Sequence, residues 1–208
     1  MNLEEKERIF SNLSMTGTEM FQLMNDLFPI CRSITGNGVR KSFELIKNYL
    51  DVELFEVASG TKVNDWTIPK EWNITDAYVI DPDGNKIIDF KSSNLHVVNY
   101  SIPVKKKLSL EELKPHLHSI PEQPELIPYK TSYYKEDWGF CLSHNQLLNL
   151  KDGDYEVCID SSLENGALTY GEYFIQGITD QEIILSCYIC HPSLCNDNLS
   201  GVVITTLC

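Results

Sequence analysis

Ser186-Cys187-Tyr188-Ile189-Cys190-His191-Pro192-Ser193-Leu194-Cys195-Asn196-Asp197-Asn198-Leu199-Ser200-Gly201 is the stretch on which the reading of this chain turns. The run leading into it, Glu182-Ile183-Ile184-Leu185-Ser186-Cys187-Tyr188-Ile189, is continuous and apolar, the pattern of a strand buried on both faces. His191 follows just past its end, and in open α/β sheets chemistry collects at the carboxyl ends of strands. Asn196 to Gly201 is turn chemistry, rich in Asx residues that bond nearby backbone. Val202-Val203-Ile204-Thr205-Thr206-Leu207 begins a second buried element, which Asn198 or Ser200 caps if it is a helix. The spacing predicts strand, loop and helix, with His191 and Asp197 facing each other across the loop.

A hydrolytic zinc ion takes neutral imidazole and carboxylate ligands and keeps one position open for water. His191 and Asp197 are of the right types; a solvated polar turn is the alternative reading of the same pair. On paper, Cys187, Cys190, His191 and Cys195 also resemble a thiolate zinc site. Strand parity argues against it, because residues an odd number apart point to opposite faces. A second ligand pair is absent as well. Free thiols acting as small apolar residues fit better.

The segment from Gly171 to Gly201 resembles the co-catalytic zinc aminopeptidase superfamily, in which a strand ending in a ligand His leads to a turn of the form Asp-Asn-x-Ser-Gly. Here that turn reads Asp197-Asn198-Leu199-Ser200-Gly201. Nearly the whole chain is similar to a bacterial branch of aminopeptidase-like domain proteins. The likeness is carried by Cys31-Arg32-Ser33-Ile34-Thr35-Gly36, Asp65-Trp66-Thr67-Ile68-Pro69, Trp138-Gly139-Phe140-Cys141 and Cys190-His191-Pro192-Ser193, in that order. The resemblance implies that His191 ligates one Zn2+ and that Asp197 bridges two. It implies a metal-bound water attacking the amide carbonyl of a peptide or small amide whose free amino group docks near the metals. The general-base Glu and the remaining ligands are expected beyond residue 208. The chain departs from the wider superfamily at Ser193, where an Asp that orients the ligand His is common, and in a shorter loop from His191 to Asp197.

Composition bounds the rest. The 208 residues are 42% hydrophobic, enough for a real core and one or two domains. A formal net charge of −13 argues against a nucleic-acid or anionic-membrane surface. No apolar run approaches the roughly 20 residues of a membrane span. The charged start Met1-Asn2-Leu3-Glu4-Glu5-Lys6-Glu7-Arg8 lacks a signal-peptide core. Seven cysteines without a disulfide pattern point to a reducing cytoplasm, and the sequons at Asn12 and Asn73 then carry little meaning. Stopping at Cys208 inside an apolar element leads us to expect a fragment.

Along the chain, Thr16 and Glu19 form a capping box for a helix whose apolar stripe is Met20, Phe21, Leu23, Met24, Leu27 and Phe28. Val39, Phe43, Ile46 and Leu50 give a second helix, and Val52 to Val57 a strand. From Ser59-Gly60 to Asp152 the texture changes to Trp, Tyr, Pro and short strand-like runs. Ala77 to Ile80 and Lys86 to Phe90 flank the turn Asp81-Pro82-Asp83-Gly84, a hairpin. Ser109 and Glu112 cap a short helix, and Pro121, Pro124 and Pro128 mark an extended linker. Tyr155 to Asp160, Leu168 to Gln176 and Glu182 to Ile189 read as strands, the last two as neighbours. The expected fold is α/β: an incomplete zinc-aminopeptidase-like α/β/α core (1–58 and 153–208) interrupted by a β-rich inserted domain (59–152).

Arg32, in a polar turn between two helices, is a candidate for binding a substrate carboxylate or phosphate, with bonding to loop carbonyls as the structural alternative. His116 and His118 diverge on a helix end, and His96 and His144 have no nearby carboxylates. The leading expectation is a Zn2+-dependent hydrolase with one or two ions, held by His191 and Asp197. The alternative is a non-catalytic binding or assembly module on a degenerate peptidase fold. A homo-oligomer is compatible with either.

Overall fold

The computed structural model describes residues 16–207. The charged start and the Asn12 sequon lie outside the described residues. The chain divides into two compact units. One takes the described residues up to Glu56 together with those from Thr169 onward; the other is Val57–Leu168.

In the first unit, helix α1 covers 16–27, with Thr16, read as a cap, already helical. Its apolar stripe splits. Leu23 and Leu27, one turn apart, are fully buried, whereas Phe21 and Phe28 are exposed. Phe21 and Phe28 are seven residues apart and so share the opposite face. Helix α2 (Asn37–Ile46) buries Val39, Phe43 and Ile46. The turn between the helices needs glycine twice. Gly36 has φ of 100°, in the left-handed region. A Cβ on Gly38 would stand 2.0 Å from the Cys31 carbonyl oxygen. Strand β1 (Glu53–Ala58) pairs with β10 (Ala167–Glu172), and the unit ends in helix α5 (Ser200–Leu207). Leu199, Val202 and Val203 join Leu23, Leu27, Val39, Phe43, Ile46 and Val52 in one core.

One expectation fails here. Residues 182–189 form no strand, and Ile183, Ile184 and Leu185 are 91%, 82% and 68% exposed. A strand exists through its ladder, and no described residues pair with this run. Its neighbour ends early too, at Glu172 instead of Gln176. Apolar composition registers a tendency to be buried and does not itself supply a ladder partner.

The second unit contains the short strands β2 (Lys62–Val63) and β3 (Trp66–Thr67), then β4 (Glu71–Ile80) and β5 (Lys86–Asp89). Further on come β6 (Val104–Ser109), helix α3 (Leu110–Leu113), β7 (Leu117–His118), β8 (Phe140–Cys141), helix α4 (His144–Leu148) and β9 (Asp154–Glu164). Its main sheet is antiparallel, in the order β5-β4-β9-β6. Alternate residues face the core, Ala77 and Val79 from β4 and Tyr155, Val157 and Ile159 from β9. The β4–β5 hairpin forms as its turn chemistry predicts, with Asp81 Oδ1 accepting from the backbone N–H groups of Asp83 and Asn85 and Gly84 at φ of 85°. Ser109 and Glu112 make a reciprocal capping box on α3. The proline-rich stretch 119–130 has no regular element. The sequence reading grouped β9 with the final part of the chain; instead β9 is an inner strand of this sheet, hydrogen-bonded to β4 on one side and β6 on the other. Strand periodicity fixes which face of β9 is apolar but is silent about its neighbours.

Candidate functional site

The site lies within the first unit, where the extended segment ending at Cys190 enters α5 through an irregular turn. Residues Cys195–Leu199 make a wide helical turn with non-helical φ/ψ at Asp197 and Asn198, joined by a cis peptide bond. This turn carries Asp197 back toward His191: Nε2 of His191 stands 4.0 Å from Oδ2 of Asp197. The imidazole is largely covered and the carboxylate open, at 20% and 57% side-chain exposure.

Hydrogen bonds fix the outer atoms of both groups. The Tyr188 hydroxyl donates to Asp197 Oδ1, which also pushes the phenol's pKa upward. The Tyr188 ring lies 5.2 Å from the His191 ring. Cys190 Sγ stands 3.4 Å from His191 Nδ1. Asn198 Nδ2 donates to the Tyr188 carbonyl at 2.9 Å, tying the turn to the segment before it. A Cβ on Gly201 would fall 2.0 Å from Asn198 Oδ1, so any larger residue there would displace that amide. Of the two expected caps on α5, Asn198 is therefore engaged elsewhere, and Ser200 is the first residue of the helix itself. The Ser193 hydroxyl donates to the Phe28 carbonyl at 2.8 Å.

Arg32 is brought close to this group but is 1% exposed. Its guanidinium donates to the Leu27 carbonyl at 2.5 Å. Burial lowers it from 12.5 to about 10, an effect opposed by the neighbouring Cys31 and Cys190 thiols. Arg32, Tyr188, Ile189, His191 and Asn198 line one small cleft together with Leu199 and Val202. An arginine this covered holds the α1–α2 corner from inside. The remaining histidines are engaged elsewhere: His96 with the Cys141 carbonyl, His116 with the Trp138 carbonyl and ring, His118 with Lys130, and His144 with Ser119.

A zinc ion fits the chemistry of the two donors. Two ligands of a tetrahedral zinc stand about 3.3 Å apart, so the observed 4.0 Å closes with a side-chain adjustment of roughly 0.7 Å. Among the described residues no group of three His, Cys, Asp or Glu side chains is placed to hold a metal. That applies equally to the thiolate set, in which Cys187 and Cys195 are exposed and free. The sequence reading brought forward His191 and Asp197 as candidate ligands, which the structure places together, and did not group Tyr188, Cys190 or Asn198 with them. The signal for the first two was spacing, because Tyr188 and Cys190 are two apart on an extended chain and share a side.

The molecule is thus a mixed α/β protein with a His–Asp pair at the entrance to a helix. Residues 71–162, which run from β4 into β9, match a family described as "Domain of unknown function (DUF2172)". Over 204 residues the chain is 59% identical to a Clostridium acetobutylicum protein named "Putative polysaccharide biosynthesis protein with aminopeptidase-like domain", covering 98% of this chain and 47% of that protein. A crystal structure described as that of a "putative peptidase" from Clostridium acetobutylicum superposes with a TM-score of 0.93 at 59% identity, over 99% of this chain and 49% of that one. A shorter likeness, 28% over 102 residues, is to "Flap endonuclease 1" of Drosophila grimshawi and covers 40% of this chain and 26% of that protein. The chain spans about half the length of the aminopeptidase-like relatives it matches. No helix among the described residues is long and apolar enough to cross a membrane.

Proposed function

We propose that this chain is part of a zinc-dependent aminopeptidase-like hydrolase of peptide or small amide bonds, to which it contributes two of the metal ligands. The observation that carries the reading is the approach of His191 Nε2 to Asp197 Oδ2, 4.0 Å apart where an extended segment turns into α5. His191 would hold the ion through Nε2 and Asp197 through its carboxylate, with a second ion sharing Asp197 if the site is binuclear. Zinc there supplies Lewis-acid polarisation of a carbonyl and a lowered pKa for water. The general base and the other ligands would come from the part of the relatives' length that this chain does not match. The pairing of β1 with β10, the strands by which the chain leaves and re-enters the first unit, supports Val57–Leu168 as a β-rich insertion in a zinc-aminopeptidase-like core.

The names of the relatives support an amide-cleaving activity, and one of them adds polysaccharide biosynthesis. Aminoacyl amides carried on sugars therefore belong in the substrate panel beside short peptides. The net charge of −13 supports a non-nucleic-acid substrate, and the cytoplasm is the compartment that six free thiols among the described residues favour. In a protein of the relatives' full length, His191→Ala is expected to lower metal-dependent amide hydrolysis at least about 100-fold. Undiminished turnover in that variant overturns the assignment. One observation favours a non-catalytic module on the same fold instead. The Ser193 hydroxyl, at the position where the wider superfamily commonly has an orienting Asp, donates to the Phe28 carbonyl.

A further inference from the structure

The geometry points to Tyr188 and Cys190 as a pair of positioning residues that aim the inner atoms of His191 and Asp197 at one point. This rests on the zinc reading above and adds the residues that make the two ligands converge.

An imidazole that binds metal through Nε2 needs that lone pair free, so its proton resides on Nδ1, and a partner for Nδ1–H raises the basicity of the ring. Cys190 Sγ lies 3.4 Å from Nδ1 and is placed to accept that proton. Asp197 presents the mirror case: Oδ1 accepts the Tyr188 hydroxyl, and Oδ2 is the oxygen that faces His191. Each outer atom is occupied, and each inner atom points across the gap. Tyr188 is itself anchored, because its carbonyl accepts from Asn198, the residue after Asp197. Segment and turn therefore brace each other through Tyr188. Ser193, the residue that spacing suggests for orienting the ring, is committed to Phe28. A sulfur on the residue immediately before the histidine takes its place.

The test has one readout that needs no metal. Nitrogen-15 NMR of the 208-residue chain, at a pH where the imidazole is neutral, is expected to show the Nδ1–H tautomer for His191. Cys190→Ala should shift the population toward Nε2–H, and Cys190→Ser should restore it. A wild-type ring already in the Nε2–H form overturns the inference. The second readout is zinc affinity in a protein of the relatives' full length. Tyr188→Phe and Cys190→Ala are each expected to weaken binding about 10- to 100-fold, and Cys190→Ser is expected to stay near wild type. Wild-type zinc binding with no loss in either variant overturns the positioning role and leaves the metal reading intact. Absence of zinc binding in wild type overturns the metal reading, and the positioning role with it. A thiolate-to-metal charge-transfer band in the cobalt(II) protein that disappears in Cys190→Ala would make Cys190 a ligand, which also overturns the inference.

Discussion

At the residue scale, Arg32 shows how position redefines a side chain. Its polar setting in sequence suggested a hand for substrate anions, yet it is 1% exposed and donates to the Leu27 carbonyl. Removing a buried, hydrogen-bonded guanidinium leaves a cavity and an unpaired carbonyl. Arg32→Ala is therefore expected to destabilise the protein by about 3 kcal/mol, read from the denaturant midpoint. A change below about 0.5 kcal/mol would return Arg32 to the list of free functional groups. Cys141 gives a pH prediction. It is fully buried, and desolvation pushes its thiol from 9.0 up to about 12, slightly opposed by Lys130. The folded state holds the proton that the unfolded state releases, so the contribution is complete below pH 9 and falls between pH 9 and 12. At pH 10 the loss is about 1.4 kcal/mol relative to pH 8. Cys141→Ala, measured over the same range, should lack that part of the decline; an unchanged slope contradicts the assignment. His191 and Asp197 were readable as candidate ligands because ligand chemistry restricts residue types. Tyr188 and Cys190 were not, because Tyr and Cys fill apolar positions far more often than they orient ligands.

At the element scale, the legible parts are those whose signals are local. The Asp81–Gly84 hairpin, the Ser109–Glu112 box and the α2 stripe all depend on residues within a few positions of one another. The run 182–189 depends on a partner, and composition alone could not say that none pairs with it among the described residues. Its backbone lacks a ladder, whereas β9 is bonded on both sides. In hydrogen exchange, amides 183–187 of this chain are expected to exchange close to their unprotected rates, and those of 156–160 to be slower by about three orders of magnitude. In a protein of the relatives' full length we expect 183–187 to become protected as strands from the added sequence cover them. Protection of this run already in the 208-residue chain would contradict the unpaired state; persistent exposure in the longer protein would contradict its reading as an inner strand.

At the scale of the whole molecule, the chain consists of two bodies with separate cores, and the family match falls in one while the His–Asp pair falls in the other. Mixed α/β character was readable from the alternation of periods along the sequence. The membership of β9 was not, since pairing between distant strands leaves no trace in either strand alone. The central claim is that the first unit carries half of a metal site. Its most direct test is the zinc content and affinity of a protein of the relatives' full length, compared with His191→Ala and Asp197→Ala. The account predicts one or two zinc ions per chain in wild type, and affinity weakened at least about 100-fold in each variant. Zinc held equally well by both variants, or no zinc in wild type, would contradict it.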